Sequence, residues 1–307
     1  MTDRNNSGHP GARQEPPETR ERTTPHNRLE AALSARFGDL NEVSRAIGSL
    51  DEALAQRLAD VAARSSRRTF RADPPPLALI ELLAAVSLSA PSKSDLQQRD
   101  IIVMDDTAQL SALKALLAEQ AWIAGAPALV VFCANNRRQR MLHDMTGHAF
   151  ANDHLDAFFN ATVDAAVALQ AFVMVAETAG LGCCPISAIR NKPREVSDIL
   201  GLPDHVFAIA GLAVGWPASA GDISPRLPLA ATLHRDRYNS ANDRDHIAAY
   251  DTRRASQRPF RSQRHVGLFG ELPQDRYVWS EDKARHYAVP ERDDFGDFVR
   301  LIGYTLD

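Results

Sequence analysis

The run over residues 153–178 constrains the fold more than any other stretch of this 307-residue chain. It is apolar on nearly every side at helical spacing, interrupted by Asp156, Asn160, Asp164 and Gln170. A helix apolar all round has to lie inside a core or against another molecule. The run is therefore expected to be the central helix of the core or a subunit interface, with Gly180 as its C-terminal cap.

Buried strands are expected on both sides of it. Residues 127–133 (PALVVFC) are short, apolar and β-branched, a buried strand; residues 100–104 read as a short strand, 183–186 as strand-like, and 207–214 as a further strand closed by Gly215-Trp216-Pro217. Helical spacing covers residues 77–88, 108–120 and 194–200, and Leu29, Leu33, Phe37 followed by Leu50, Leu54, Leu58, Val61 predict two N-terminal helices within residues 28–66. Strands alternate with helices while the longest helices cluster, which favours an α+β fold, a mixed sheet layered by helices, over a strictly doubly wound one. Residues 1 to about 27 have almost no bulky apolar side chains to offset their ordering entropy and are expected to be a disordered tail. Residues 218–307 are charged and punctuated by proline; they can hardly form their own core, and should wrap the main domain or a partner subunit.

Composition removes several classes. Thirty-five basic against 39 acidic residues give a net charge of -4, with no general attraction to nucleic acid or an anionic membrane. Three cysteines, Cys133, Cys183 and Cys184, are too few for a disulfide framework or a four-cysteine zinc site, which suggests a reducing compartment. The N-terminus lacks a secretory apolar region and no uninterrupted apolar stretch is long enough to span a bilayer, so the cytoplasm is the expected location. His143, His148, His154, Asp144 and Asp153 are not spaced to share one helical face, and no metal is expected. No G-x-G-x-x-G or Walker loop occurs.

Two short segments carry the chemistry. Arg67-Arg68-Thr69-Phe70-Arg71 places three guanidiniums within five residues, and the guanidinium fork matches phosphate oxygens better than an ammonium does. About twenty residues later Ala90-Pro91-Ser92-Lys93-Ser94-Asp95-Leu96-Gln97 forms a hydroxyl-rich turn, with Ser92, Lys93, Ser94 and Gln97 as further donors. Together they suit an anionic, planar, hydrogen-bonding cofactor.

With Glu119-Gln120-Ala121-Trp122-Ile123-Ala124-Gly125-Ala126-Pro127, Gly180-Leu181-Gly182, Ile186-Ser187-Ala188-Ile189-Arg190-Asn191, Gly215-Trp216-Pro217 and Pro225-Arg226-Leu227-Pro228, these segments stand in an order that resembles the nitroreductase superfamily over about residues 28–307. In particular it resembles the NADPH-dependent FMN oxidoreductases, of the major oxygen-insensitive nitroreductase and flavin reductase P type. The resemblance implies a mainly antiparallel sheet in an FMN-binding core over residues 67–217, a C-terminal extension, a homodimer with the flavin at its interface, and reduction of nitro compounds, quinones or flavins by ping-pong hydride transfer through flavin N5. It implies that Arg68, Thr69 and Arg226 contact the FMN phosphate and that Arg71 and Gln120 sit at the pyrimidine edge, stabilising charge there on reduction. Ser92 would reach over from the second chain, and the backbone of Pro185, Ile186, Ser187 and Ala188 would line the flavin. No catalytic side chain is implied. The basic segment over residues 253–264 looks like the mobile stretch that meets the NADPH 2′-phosphate, with Arg258 and Arg261 the candidates; the alternative is a solvated basic loop.

Two departures stand out. The usual Tyr-Ile-Gly-Gly is Pro185-Ile186-Ser187-Ala188, which would narrow the space above the flavin, and the lysine before the Pro-Arg pair is Ser224, with Arg67 the candidate to replace it. One lost charge-assisted contact is worth ~1.5–3 kcal/mol. The tail has no counterpart in the family. Two other readings remain: a flavoenzyme dedicated to one metabolite through dehydrogenation, dehalogenation or rearrangement, and a non-catalytic flavin-binding regulator recruiting a partner through its tail.

Overall fold

The computed structural model describes residues 23–40 and 42–307. Most of the expected tail lies outside the described residues. Helix α1 (Pro25–Phe37) begins where Thr24 accepts the Asn27 N–H and Pro25 takes the first helical position. Asp51 caps α3 (Glu52–Ala62) in the same way through Leu54. Between them a short α2 (Glu42–Ile47) makes three helices where spacing predicted two. Leu29, Leu40, Ile47 and Ala59 close this group into a small cluster of its own.

Four strands among the described residues form the sheet: β1 (Arg99–Val103), β2 (Ala128–Asn135), β3 (Gly182–Ile186) and β4 (Val206–Gly215), in the order β1-β2-β4-β3 and antiparallel throughout. Period-two alternation sorts β2 between two layers. Val130, Phe132 and Ala134 face one apolar cluster, and Leu129, Val131 and Cys133 face the other. In β4 the alternation slips: Phe207 and Ile209 join the first cluster, and so do Ala210, Leu212 and Val214. A bulge is the cause, since Phe132 pairs with Ala210 and Cys133 with Ala208, leaving Ile209 as the extra residue. Cys183 and Cys184 point to opposite layers and are free.

The first layer is α4 (Leu77–Ser87) and α7 (Leu155–Thr178). Gly180 ends α7 as expected: its φ is +82°, and the Leu181 N–H turns back to the Ala176 carbonyl at 2.9 Å. By length and composition α7 passes for a membrane span. In this fold its Ala157, Ala161, Ala165 and Ala168 face is buried, whereas Leu155, Phe159, Val163, Val167 and Met174 are exposed. The helix expected at the centre of the core or at a subunit interface buries its alanine face in the core and leaves its opposite apolar face exposed in the single chain.

The second layer holds α5 (Thr107–Leu116) and α8 (Pro193–Leu200). A helix the sequence reading missed, α6 (Arg137–Thr146), follows β2. The C-terminal segment is also more helical than its charge suggested, with α9 (Asp243–Gln257), α10 (Val266–Phe269), α11 (Trp279–Tyr287) and α12 (Phe295–Leu301). It sends Phe298, Val299 and Tyr304 into the first-layer core.

Candidate functional site

The arginine segment lies against the ends of β3 and β4. The Arg67 N–H bonds to the Cys183 carbonyl at 2.9 Å and the Arg71 N–H to the Trp216 carbonyl at 2.8 Å; Thr69 accepts from the Ala218 N–H at 3.1 Å. Phe70 bridges Pro217. Two glycines paired across the ladder, Gly182 and Gly215, permit this approach. A Cβ at 182 would sit 2.6 Å from Arg67 Cγ, and one at 215 would lie 2.9 Å from Phe70 Cδ1 and against the Pro127 ring.

Beside this segment lies a polar cleft of about 220 Å³. Arg67, Arg68 and Thr69 line one side and residues 219–224 the other. Arg67 donates to the Ser219 carbonyl at 3.0 Å. Arg258 lines the same cleft, with Nη1 2.9 Å from the Ser224 hydroxyl and Nη2 3.8 Å from the Asp222 carboxylate. Arg68 lies over the Trp122 ring at 5.7 Å, and the Trp122 Nε1 donates to Gln120 Oε1 at 3.1 Å. Arg67, Arg68, Thr69 and Gln120 are thus brought together. Trp122, quoted in the motif but given no role, joins them.

Other expected residues stand elsewhere. Arg226 is absent from the cleft: its N–H bonds to the Arg36 carbonyl at 2.6 Å and its Nη1 to the Pro225 carbonyl at 3.1 Å, and it lines a neighbouring cavity of about 450 Å³ with Phe37, Tyr250 and Trp279. Arg71 is held bidentately by Asp73 at 3.0 and 2.8 Å, with both side chains more than half exposed. Arg261 is exposed and lines no part of the cleft. The basic stretch is not one loop either. Arg253 and Arg254 belong to α9, and beyond it the Gln263 amide holds both backbone groups of Leu272, at 2.6 and 2.9 Å.

The hydroxyl turn sits at the β1 edge and the arginines at the β3 edge, three inter-strand spacings or ~14 Å across the sheet, and they lie at opposite ends of the strands, since Arg99 is aligned with Ala134 and Phe207 whereas Cys183 is aligned with Val214. One chain does not bring the two together. Ser94, Asp95 and Gln97 adopt left-handed φ values of 50°, 59° and 50°, and what holds them is a buried ion pair. Asp164 of α7 accepts from the Ser92 hydroxyl (3.2 Å), the Gln98 N–H (2.7 Å) and Arg99 (2.7 Å), while Arg99 also donates to the Leu88, Ala90 and Pro91 carbonyls. The Ser92 oxygen in turn accepts the Gln97 N–H, and Lys93 pairs with Asp156 at 3.5 Å. Asp164 and Arg99 were not singled out from sequence as site-supporting residues; the signal was a carboxylate in an otherwise apolar helix.

At the end of β3, Pro185 and Ser187 are exposed while Ile186 and Ala188 are buried. Of the two residues replacing glycines, Ser187 presents its side chain outward and Ala188 packs into the second layer. Burial pushes the Cys184 thiol above its ordinary pKa against the opposing pull of Arg68, and pushes Cys133 up to about 12, so neither is a nucleophile at neutral pH. Asp153 pairs with Arg140, and His154 caps α7 through Asp156. No cluster of three metal-binding side chains occurs among the described residues.

Comparison with known proteins agrees with this layout. The Nitroreductase family profile matches residues 61–216, and that of the Nitroreductase family C-terminal domain matches residues 224–307. An FMN reductase [NAD(P)H] from Bacillus subtilis (strain 168) is 36% identical over 178 residues, 56% of this chain and 70% of that protein. A Cr(VI) reductase from Pseudomonas sp. (strain G-1) is 30% identical over 242 residues, 78% of this chain and 96% of that protein. The solved structure of NfrA2 from B. megaterium superposes with a TM-score of 0.72 at 28% identity, covering 82% of this chain and 98% of that one. With profiles that take in both the sheet and the C-terminal helices around it, the chain belongs to the nitroreductase family.

Proposed function

We propose that the chain is an NAD(P)H-dependent FMN oxidoreductase that works as a homodimer, draws on NADPH, and reduces quinones, nitro compounds or flavins. The observation that carries this reading is the guanidinium cleft adjoining the Arg68–Trp122–Gln120 shelf. The donor set fits the group: guanidiniums and hydroxyls suit a terminal phosphate, and the glycine pair lets the backbone come close. Bound FMN supplies the two-electron redox chemistry. Arg67, Arg68 and Thr69 would hold its phosphate, and Gln120 would offer its amide to the ring edge. The exposed Ser187 at the end of β3 would set how much room an acceptor has. Positioning and charge are what such a site contributes.

The homodimer is supported by two features. The exposed apolar stripe of α7 continues onto Leu82 and Val86 of α4, an area a soluble chain seldom leaves bare. The Ser92 turn lies too far from the arginines of its own chain to share a ligand with them, so a second copy would bring it to the site. Three buried, free cysteines suit a reducing compartment, the cytoplasm in this reading.

The test is an anaerobic visible spectrum of the FMN-reconstituted protein before and after one equivalent of NADPH. Bleaching of the protein-bound flavin band within seconds is expected, followed by its return on adding a quinone, a nitroarene or chromate. Bound flavin that stays oxidised with both NADPH and NADH would sink the proposal.

A further inference from the structure

We infer that Arg258, at the C-terminal end of α9, supplies the third guanidinium of the flavin-phosphate site and does there what Arg226 was expected to do. This rests on the FMN reading above. The cleft collects Arg67, Arg68 and Arg258 against one carboxylate, Asp222, whose side chain is 86% exposed. A formal excess of two positive charges matches a phosphate monoester near neutral pH, which carries about -1.5 to -2.

The geometry fixes Arg258 toward that cleft. Its N–H closes the last turn of α9 on the Arg254 carbonyl at 2.8 Å, and its Nη1 donates to the Ser224 hydroxyl at 2.9 Å. The Ser224 oxygen accepts that bond, which leaves its own O–H free to donate to an anion. Ser224 is itself held in place, because its carbonyl accepts from the buried Arg36 at 3.3 Å. The same constraints turn Arg226 away. Its backbone is anchored, with the N–H on the Arg36 carbonyl and the preceding Pro225 carbonyl on Tyr250, and its Nη1 folds back onto the Pro225 carbonyl, which directs the side chain to the neighbouring cavity. Serine stands at 224 where the resemblance implies a lysine, and Arg258, 34 positions along the chain, brings a guanidinium to that serine.

Two ligands offer a phosphate monoester, FMN and the 2′-phosphate of NADPH. The cleft continues through Arg68 onto the Trp122 and Gln120 shelf, which favours FMN.

Equilibrium dialysis of the 307-residue chain against FMN and against riboflavin, which lacks the phosphate, separates the cases. Wild type should bind FMN more tightly than riboflavin. Arg258→Ala should lose about 10- to 100-fold in FMN affinity, the value of a charge-assisted hydrogen bond, with riboflavin affinity little changed, which also reports a folded site. Arg226→Ala should keep the preference for FMN. The double variant Arg258→Ala/Ser224→Lys, which returns a cation to the same cleft, should recover most of it. If Arg258→Ala keeps the wild-type FMN-to-riboflavin ratio, the inference is overturned. It is overturned as well if FMN affinity stands and the KM preference for NADPH over NADH collapses, since the cleft then belongs to the donor. Wild type binding neither flavin would bring down the functional reading itself, an outcome distinct from both.

Discussion

Gly182 and Gly215 face each other across β3 and β4, and the arginine segment crosses directly over them. A methyl group at 182 meets the Arg67 stem close to its backbone, where the side chain has little freedom to move aside. Gly182→Ala should therefore cost about 1–3 kcal/mol, the usual range for overpacking, and should also loosen FMN. Urea unfolding of the variant checks it, and an unchanged midpoint with unchanged slope would show that the crossing has slack. Asp164 carries a larger stake. It and Arg99 are each 5% exposed, and removing one member of a buried ion pair costs ~3–5 kcal/mol because the other is left uncompensated. Asp164→Ala should lose stability on that scale and release the Ser92 turn, seen as faster amide exchange at Gln97 and Gln98, whose N–H groups depend on it directly or through Ser92. Protection at those two amides equal to wild type would mean that α6, through Arg138 and Gln139, holds the turn alone.

Helix α7 joins two tasks, one on each face. Its alanines let the sheet come close, and its Leu155, Phe159, Val163 and Val167 stripe recurs every four residues on the outside. Phe159 and Leu82 are each 59% exposed, so a charge at either position costs a monomer little. Phe159→Glu with Leu82→Glu should give a folded monomer, measured by light scattering after gel filtration, that unfolds cooperatively below the wild-type midpoint because association no longer stabilises it; a dimer that persists would move the interface elsewhere. The same helix shows what the sequence discloses. Length and periodicity reveal α7 and the four strands, because burial imposes a pattern that survives without knowing the partner. They do not reveal α6, whose Arg137-Arg138-Gln139-Arg140 start looks solvated although Gln139 is buried. The site divides along the same line. The Arg67, Arg68 and Thr69 cluster is local and legible, whereas the engagement of Arg71 by Asp73, the turning of Arg226 toward Arg36, and the meeting of Arg258 with Ser224 are set by contacts that no spacing encodes.

The whole molecule is closed by its C-terminal end, and the closure is built from groups that titrate. After α12 the chain passes His205, whose N–H bonds to the Ile302 carbonyl at 2.8 Å and whose Nε2 lies 3.1 Å from the Gly303 carbonyl. Tyr304 enters the core and donates to the His205 carbonyl at 2.9 Å. Arg140 of α6 grips Asp153 at 2.9 and 2.5 Å. Burial, and then the nearby Arg140 charge, hold His205 below the ordinary histidine pKa, although the bond to the Gly303 carbonyl, and then Asp204 and Asp153, pull the other way. The Asp153 carboxyl is held below its ordinary value by the Arg140 hydrogen bond first, with the Thr305 N–H also contributing. Both folded values are depressed, so in both cases the unfolded chain binds the proton more readily and stability falls with acid. The His205 contribution is complete above the unfolded histidine value of about 6.5 and fades as pH drops toward the folded value. The Asp153 contribution is complete above the unfolded value of about 3.9 and fades below it. Closure should therefore weaken in two steps. His205 has a φ of 63°, a backbone setting asparagine tolerates, which makes His205→Asn the cleaner variant. Denaturant unfolding across the acid range should give a wild-type-minus-variant difference that rises with pH just below about 6.5 for His205→Asn, and below about 3.9 for Asp153→Asn. A difference flat in pH for His205→Asn would show that the ring keeps its water-like proton affinity, and that the end of the chain is held by Tyr304, α12 and the Asp153 pair alone.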